Sequence, residues 1–262
     1  MKLVAFCEAP ADFRLVSGLV DRVLRESGPS WVTDNLDTPE VVRTWHADAP
    51  DRRYIDVHRL NDCTDRLRER GIRVRRVRGH FDGHPGDAAG PMARKAFLIA
   101  EALHRHAPGE PIDAVVLVFD CDEQHAERPR GVRAARDEAR RWAPFHILCG
   151  FPDPEREAWV LAGFEPCDER EQQRLDDLHR ELGFSPVLHA VRLRDKGHGA
   201  PRNIKRVLGV LISDDHHRKA RCWTEPPLAT LRERGDATGL AVFLEELEAA
   251  LRALCAAGTP RG

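Results

Sequence analysis

Asp120 and Asp122 close a run of apolar residues, Ala114 to Phe119, and stand two positions apart around Cys121. Such a run, β-branched and too short for a helix, reads as a strand buried on both faces of a parallel sheet. Ligands of open α/β sheets bind outside the carboxyl ends of such strands. In an extended chain, positions i and i+2 point the same way, so the two carboxylates are expected to converge on one hard cation. A second strand-like run, Lys2 to Cys7, ends in Glu8. Neighbouring parallel strands bring their tips close together, which makes Glu8, Asp120 and Asp122 a candidate magnesium site. Each acid also has a plain alternative: Glu8 as an acid at a helix start, Asp120 or Asp122 as an N-cap.

The elements that must position these groups follow from periodicity. After the first strand, Asp12 is placed to cap a helix whose stripe is Leu15, Leu19, Val23 and Leu24. Residues 28 to 56 show no clear period and read as an insertion. A helix is expected over Val57 to Arg70, ending at Gly71, and a strand over Ile72 to Val77. A Gly/His loop (79–86) and a helix from Ala88 to His106, closed by Pro108-Gly109, come next. The Ala114–Phe119 strand leads into a basic helix from about Gly131 to Trp142, and then a strand over Phe145 to Cys149. This alternation predicts an α/β fold: a parallel sheet of about four strands flanked by helices, with right-handed crossovers. From Pro152 the character turns helical, with helices around 152–162, 169–182, 201–212 and 239–256. Two parts result: a metal-binding α/β core over 1–150, and a mostly helical C-terminal extension over 151–262 that completes the site.

Composition narrows the class. With 42% apolar and 32% charged residues and a formal net charge of −2, the chain fits a globular protein with no overall basic character. Arg66 to Arg78 is strongly basic locally, either as a solvated face or as a patch facing phosphates. Seven scattered cysteines, none in a CxxC pair, argue against a zinc ribbon or disulfide framework and for a reducing cytoplasm. Cys7, Cys121 and Cys149 end apolar runs and read as core. The Leu3–Phe6 run is too short for a secretory leader, and no stretch of about 20 apolar residues marks a membrane span.

A strand ending in Glu, a helix, and a later strand ending in Asp-x-Asp resembles the TOPRIM fold of topoisomerases, bacterial primases and overcoming-lysogenization-defect (OLD) nucleases. More specifically, the chain is similar to the small TOPRIM-like proteins of the family of unknown function 4276. The matching segments are Glu8-Ala-Pro-Ala-Asp12, Asp120-Cys-Asp122, Glu155-Arg-Glu157-Ala-Trp-Val-Leu-Ala162 and Pro201-Arg-Asn-Ile-Lys205. They are short but ordered, and cover residues 1 to about 212. Ala9 stands where the family has Gly, and Ala11-Asp12 where it has Thr-Glu.

The resemblance implies a nuclease dependent on Mg²⁺ or Mn²⁺, with Glu8, Asp120, Asp122 and Glu157 as metal ligands. Glu155 rivals Glu157, since two positions on a helix differ by about 200°. Lys205 would stabilise developing phosphate charge, with Arg194, Lys196 and Arg202 forming a basic lip. The partners implied are nucleic acid, DNA ahead of RNA, and a separate ATPase in an anti-phage or mobile-element system; a second copy of the chain is a further candidate partner. The chain has no GxxxxGK[ST] loop of its own.

Other constellations read more plainly. His80, Asp82 and His84, and His216-His217 after Asp214-Asp215, lack metal-ligand spacing on a regular element. Trp142 and Trp159 read as core, while any of the five tryptophans offers a ring for base stacking. Two further readings stand beside the nuclease: a catalytically silent TOPRIM-fold binding subunit, and a haloacid-dehalogenase-like phosphatase. The phosphatase usually carries its Asp-x-Asp on an early strand followed by Thr or Val, whereas here the pair is late and followed by Glu123.

Overall fold

A computed structural model of the chain describes residues 1–76, 89–106, 111–197, 199–212 and 215–257. Its centre is a five-stranded parallel sheet flanked by helices. Strand β1 (Lys2–Cys7) leads into α1 (Pro10–Ser27). The segment that lacked a period holds two short helices, α2 (Ser30–Thr33) and α3 (Pro39–Val42), and two short strands, β2 (Thr44–His46) and β3 (Ile55–Asp56). β2 pairs with Lys2 to Val4 and β3 with Phe6 and Cys7, so one edge of β1 is covered by an interrupted strand. Strands of two or three residues carry no alternation to detect and rely on β1 for their hydrogen bonds.

A 3₁₀ turn at Val57–Arg59 precedes α4 (Leu60–Glu69), and Gly71 follows in the left-handed region at φ 78°. The expected strand from Ile72 is absent over the described residues 72–76, and Val77 lies outside them. The edge of β1 it would have joined is occupied by β2 and β3. Its arginines turn outward instead: Arg75 pairs with Glu101 at 2.8 Å and stacks on Trp142. The Gly/His loop with His80, Asp82 and His84, Pro108-Gly109 and Asp214 lie outside the described residues.

The chain continues through α5 (Gly90–Arg105), β4 (Ala114–Val118), α6 (Glu127–Ala139) and β5 (His146–Gly150). Helices α7 (Arg156–Ala162), α8 (Glu169–Leu182), α9 (Ile204–Ile212), α10 (His216–Thr224), α11 (Leu228–Gly235) and α12 (Leu240–Ala257) form the C-terminal part. α10 was not anticipated. Asp215 caps it by accepting from the main chain of His217 and Arg218, which makes the His216-His217 pair a helix start. Among the described residues no helix is long and apolar enough to cross a membrane.

The period of two along the strands sorts their residues onto two buried layers. Leu3, Val116, Val118 and Leu148 face a layer shared with α1 and α7–α12; Val4, Phe6, Val115, Leu117 and Ile147 face α4, α5 and α6. Trp159 sits deep in the first layer, stacked on Phe243 at 5.0 Å with its indole N–H donating to the Thr238 carbonyl. Cys7, Cys121 and Cys149 are buried thiols, as expected of core residues.

Within the helical part, Arg218 of α10 grips Glu171 of α8 through two hydrogen bonds of 2.8 and 2.7 Å, and both side chains are nearly inaccessible. Burial alone would raise the Glu171 carboxyl, but the guanidinium and the Cys167 N–H bring it down from 4.5 to about 2. A carboxylate depressed in the fold adds stability above its ordinary pKa and loses it as pH falls through the folded value. Glu171→Gln is therefore expected to cost roughly 3–5 kcal/mol at pH 7. The gap to the wild type should close between about pH 4.5 and 2, measured by urea unfolding across that range. An unchanged gap at pH 2 would show that the ion pair is not its source.

Candidate active site

β1 and β4 are adjacent and parallel, paired from Leu3 opposite Ala114 to Phe6 opposite Leu117. From the end of β1 the chain passes into α1 on one face; from the end of β4 it passes into α6 on the other. Connections that leave neighbouring parallel strands toward opposite faces open a crevice at their carboxyl ends, the usual ligand site of open α/β sheets. Glu8 and Asp120 stand at the mouth of this crevice.

The main-chain N–H of Asp120 donates to the Glu8 carboxylate, which also lies 3.6 Å from His58 Nε2. Asp120 Oδ1 accepts from the Arg156 N–H at the start of α7, at 3.0 Å. Asp12, in the first turn of α1, accepts from the Ala9 N–H at 2.7 Å, so it caps the helix from within. Its other oxygen meets Arg156 Nε at 3.0 Å. The Arg156 guanidinium also holds the buried Glu157. Glu155, the N-cap of α7, pairs with Lys205 Nζ at 2.7 Å. Ala9 is extended, with φ −146°, a conformation any residue adopts, so nothing in the backbone calls for glycine there.

Asp120 and Asp122 do not share one extended strand, although the Asp122 charge still reaches Glu8. β4 ends at Val118, and Asp122 has turned into the left-handed region at φ 48°. Its carboxylate pairs with Arg128 at 2.6 Å, and Arg128 also donates to the Asp120 carbonyl and lies over the Phe119 ring. The rule for i and i+2 applies only while the chain stays extended. The expected four-carboxylate ligand set therefore divides: among the described residues Glu8 and Asp120 have no Arg or Lys partner, whereas Asp122 and Glu157 do.

Among the described residues, six carboxylates (Glu8, Asp12, Asp120, Asp122, Glu155, Glu157) meet here with three strongly basic side chains (Arg128, Arg156, Lys205). The acid excess is expressed as retained protons. Burial first, then Glu8, Asp12, Glu157 and Glu155, push the Asp120 carboxyl from 3.8 to about 9. Burial, Asp12 and Asp122 raise Glu8 from 4.5 to about 7. Burial also raises Asp12, against the pull of Arg156. Lys205 is held above its ordinary value: burial lowers it, but Glu155, Glu157 and Asp120 outweigh that.

No group of three His, Cys, Asp or Glu side chains among the described residues is arranged to hold a metal ion by itself. Two carboxyl groups that give up their protons to a cation still fit Mg²⁺, which commonly takes one or two carboxylates and completes its shell with water and substrate phosphate. Glu8 and Asp120 are the residues that fit such an ion.

The basic lip lies beside the strand tips. Arg194 pairs with Asp153 at 2.9 Å and Lys196 with Glu123 at 2.8 Å, while a bridge between Arg194 and Asn203 closes the loop that carries Arg202. Asn203 caps α9 by accepting from the Arg206 N–H, and so places Lys205 in its first turn. Arg156 and Arg128 were not singled out from sequence. Their one signal is position: Arg156 lies between two acids at a helix start, and Arg128 lies one to two turns past Asp122. No family model matches the chain, and neither a curated protein nor a solved structure matches it.

An acid whose pKa is raised in the fold is neutral there while ionised in the unfolded chain, so its burden on stability grows as pH rises above the ordinary value. Asp120→Asn keeps the acceptor for the Arg156 N–H and removes the titration. With a chelator present at pH 8, the variant is expected to melt roughly 3–8 °C above the wild type, and the difference should shrink toward pH 4. Calorimetric scans at both pH values check this; a variant that melts lower at pH 8 would refute the electrostatic account of the site.

Proposed function

We propose that this chain is a TOPRIM-type nuclease that hydrolyses nucleic-acid phosphodiester bonds with Mg²⁺ or Mn²⁺, DNA being the preferred substrate over RNA. The observation that carries the reading is the convergence of Glu8 and Asp120, with no Arg or Lys partner among the described residues, at the β1–β4 switch point beside Lys205. The ordered motifs that resemble the TOPRIM fold support it.

In this reading Glu8 and Asp120 would hold the ion. When bound, such an ion would neutralise phosphate charge and lower the pKa of a coordinated water. Asp12 and Glu157 hold Arg156, whose main-chain N–H keeps Asp120 Oδ1 in place. Asp122 holds Arg128 against the Asp120 carbonyl. Lys205 exchanges Glu155 for the phosphate as charge develops, and Arg194 and Lys196 contact flanking phosphates, which position the strand without reading sequence. An ATP-driven partner, as the resemblance implies, is a separate subunit.

The test is cleavage of labelled single- and double-stranded oligonucleotides and plasmid with Mg²⁺, with Mn²⁺ and with chelator. Cleavage is expected to need the ion and to fall on the order of 10²–10³-fold in Asp120→Asn and Glu8→Gln. Lys205→Ala should lose roughly 10–100-fold. Cleavage that survives chelation or Asp120→Asn sinks the proposal. Tight binding without cleavage would instead favour the silent binding subunit.

A further inference from the structure

Beside the crevice, on the α1 side of the sheet, three aromatic rings from three different elements meet. Phe13 of α1 stacks on Tyr54 with centroids 5.6 Å apart and planes 18° from parallel, and meets Trp45 of β2 edge-on at 5.3 Å. Each ring is partly exposed, unlike the aliphatic residues that fill both layers of the core. Tyr54 is the chain's only tyrosine. It is delivered by the excursion between β2 and β3, the segment that interrupts the edge strand.

The cluster is tied to the candidate site by short connections. The Phe13 N–H donates to the carbonyl of Ala9, the residue after Glu8. Tyr54 immediately precedes Ile55, which pairs with Phe6, and His58 three residues further on touches Glu8. The Tyr54 hydroxyl lies within electrostatic reach of Asp12, Asp56 and Arg52. Cations stand among these acids: Arg14, Arg52 and Arg53 form no ion pair with any described residue, and the Arg43 guanidinium, itself paired with Asp21, lies over the Trp45 ring.

We propose that Tyr54, backed by Phe13 and Trp45, is a stacking platform for an unpaired nucleobase next to the scissile phosphate, so that the substrate is a single strand or an unpaired end. The inference rests on the nuclease reading and deepens it. A partly exposed ring already stacked on a neighbour needs little further ordering, and every base offers a π surface whatever its identity. Arg52 and Arg53 serve the backbone phosphates of the same strand. A base paired within a duplex has no free face to offer, which makes the platform a selector of strandedness rather than of sequence.

The test uses the full chain carrying Asp120→Asn, so that binding is read without cleavage, in the presence of Mg²⁺. Fluorescence anisotropy measures three labelled probes: an oligothymidylate of about ten nucleotides, a blunt hairpin duplex, and an abasic deoxyribose-phosphate strand of the same length. Tyr54→Leu is expected to weaken oligothymidylate binding about 5- to 100-fold while leaving the abasic strand unchanged. Tyr54→Phe, which keeps the ring, should bind like the parent. Ultraviolet cross-linking of 5-iodouracil oligonucleotides, mapped by mass spectrometry, should place the adduct on Tyr54, Phe13 or Trp45.

Equal losses on the thymidylate and abasic strands, no loss on either, or cross-links confined to other elements would overturn the platform. The two proposals separate cleanly. Base-dependent binding with no cleavage by the wild type leaves the platform and removes the nuclease, whereas cleavage with base-independent binding does the reverse.

Discussion

The ladder between β1 and β4 sets the relative height of Glu8 and Asp120, on which the rest of the site is built. Both strands are apolar on both faces, so burial alone leaves their register weakly specified. The ends supply what the middle lacks. At the base, the Asp113 carboxylate accepts from the Lys2 main-chain N–H, and the Asp113 N–H donates to the Lys2 carbonyl. At the tip, the Asp120 N–H donates to Glu8. A slip of one residue would break both clamps and carry Glu8 past Asp120, so the register that folds the sheet is the register that assembles the site.

Gathering acids at a desolvated sheet end works against folding, and the surrounding structure is arranged to limit the cost. Arg156 reaches Asp12 and Glu157, Arg128 reaches Asp122, and Lys205 reaches Glu155. What remains uncompensated is concentrated on Glu8 and Asp120, whose carboxyls retain protons well above their ordinary range. Perturbed carboxyls in a crevice are what makes it a candidate functional site. The compensating cations come from α6, α7 and α9, so the helices after β4 complete the electrostatics of a crevice that β1 and β4 open.

The sheet was legible in sequence where a strand had enough residues to show a pattern. β1, β4 and β5 stand out as apolar runs, α1 follows from its stripe, and helices were expected close to α8 and α12. β2 and β3 did not, because strands of three and two residues have no period and exist only by pairing with β1. The strand expected from Ile72 failed for the complementary reason: with that edge already taken, an arginine-rich segment had no partner. Asp122 shows the same limit at the site. Its spacing from Asp120 suited a shared ligand, but φ 48° turned it to Arg128.

Sequence by itself determined the α/β class, the parallel strands and the presence of Glu8 and Asp120 at strand ends, because apolar runs and turns are local properties of the chain. Tertiary structure decided which acids a cation reaches. That depends on guanidinium groups arriving from α6 and α7 and a lysine from α9, far apart in sequence, and on which edge of β1 is free. Charge compensation and edge pairing are properties of neighbours in space, and no local pattern records them.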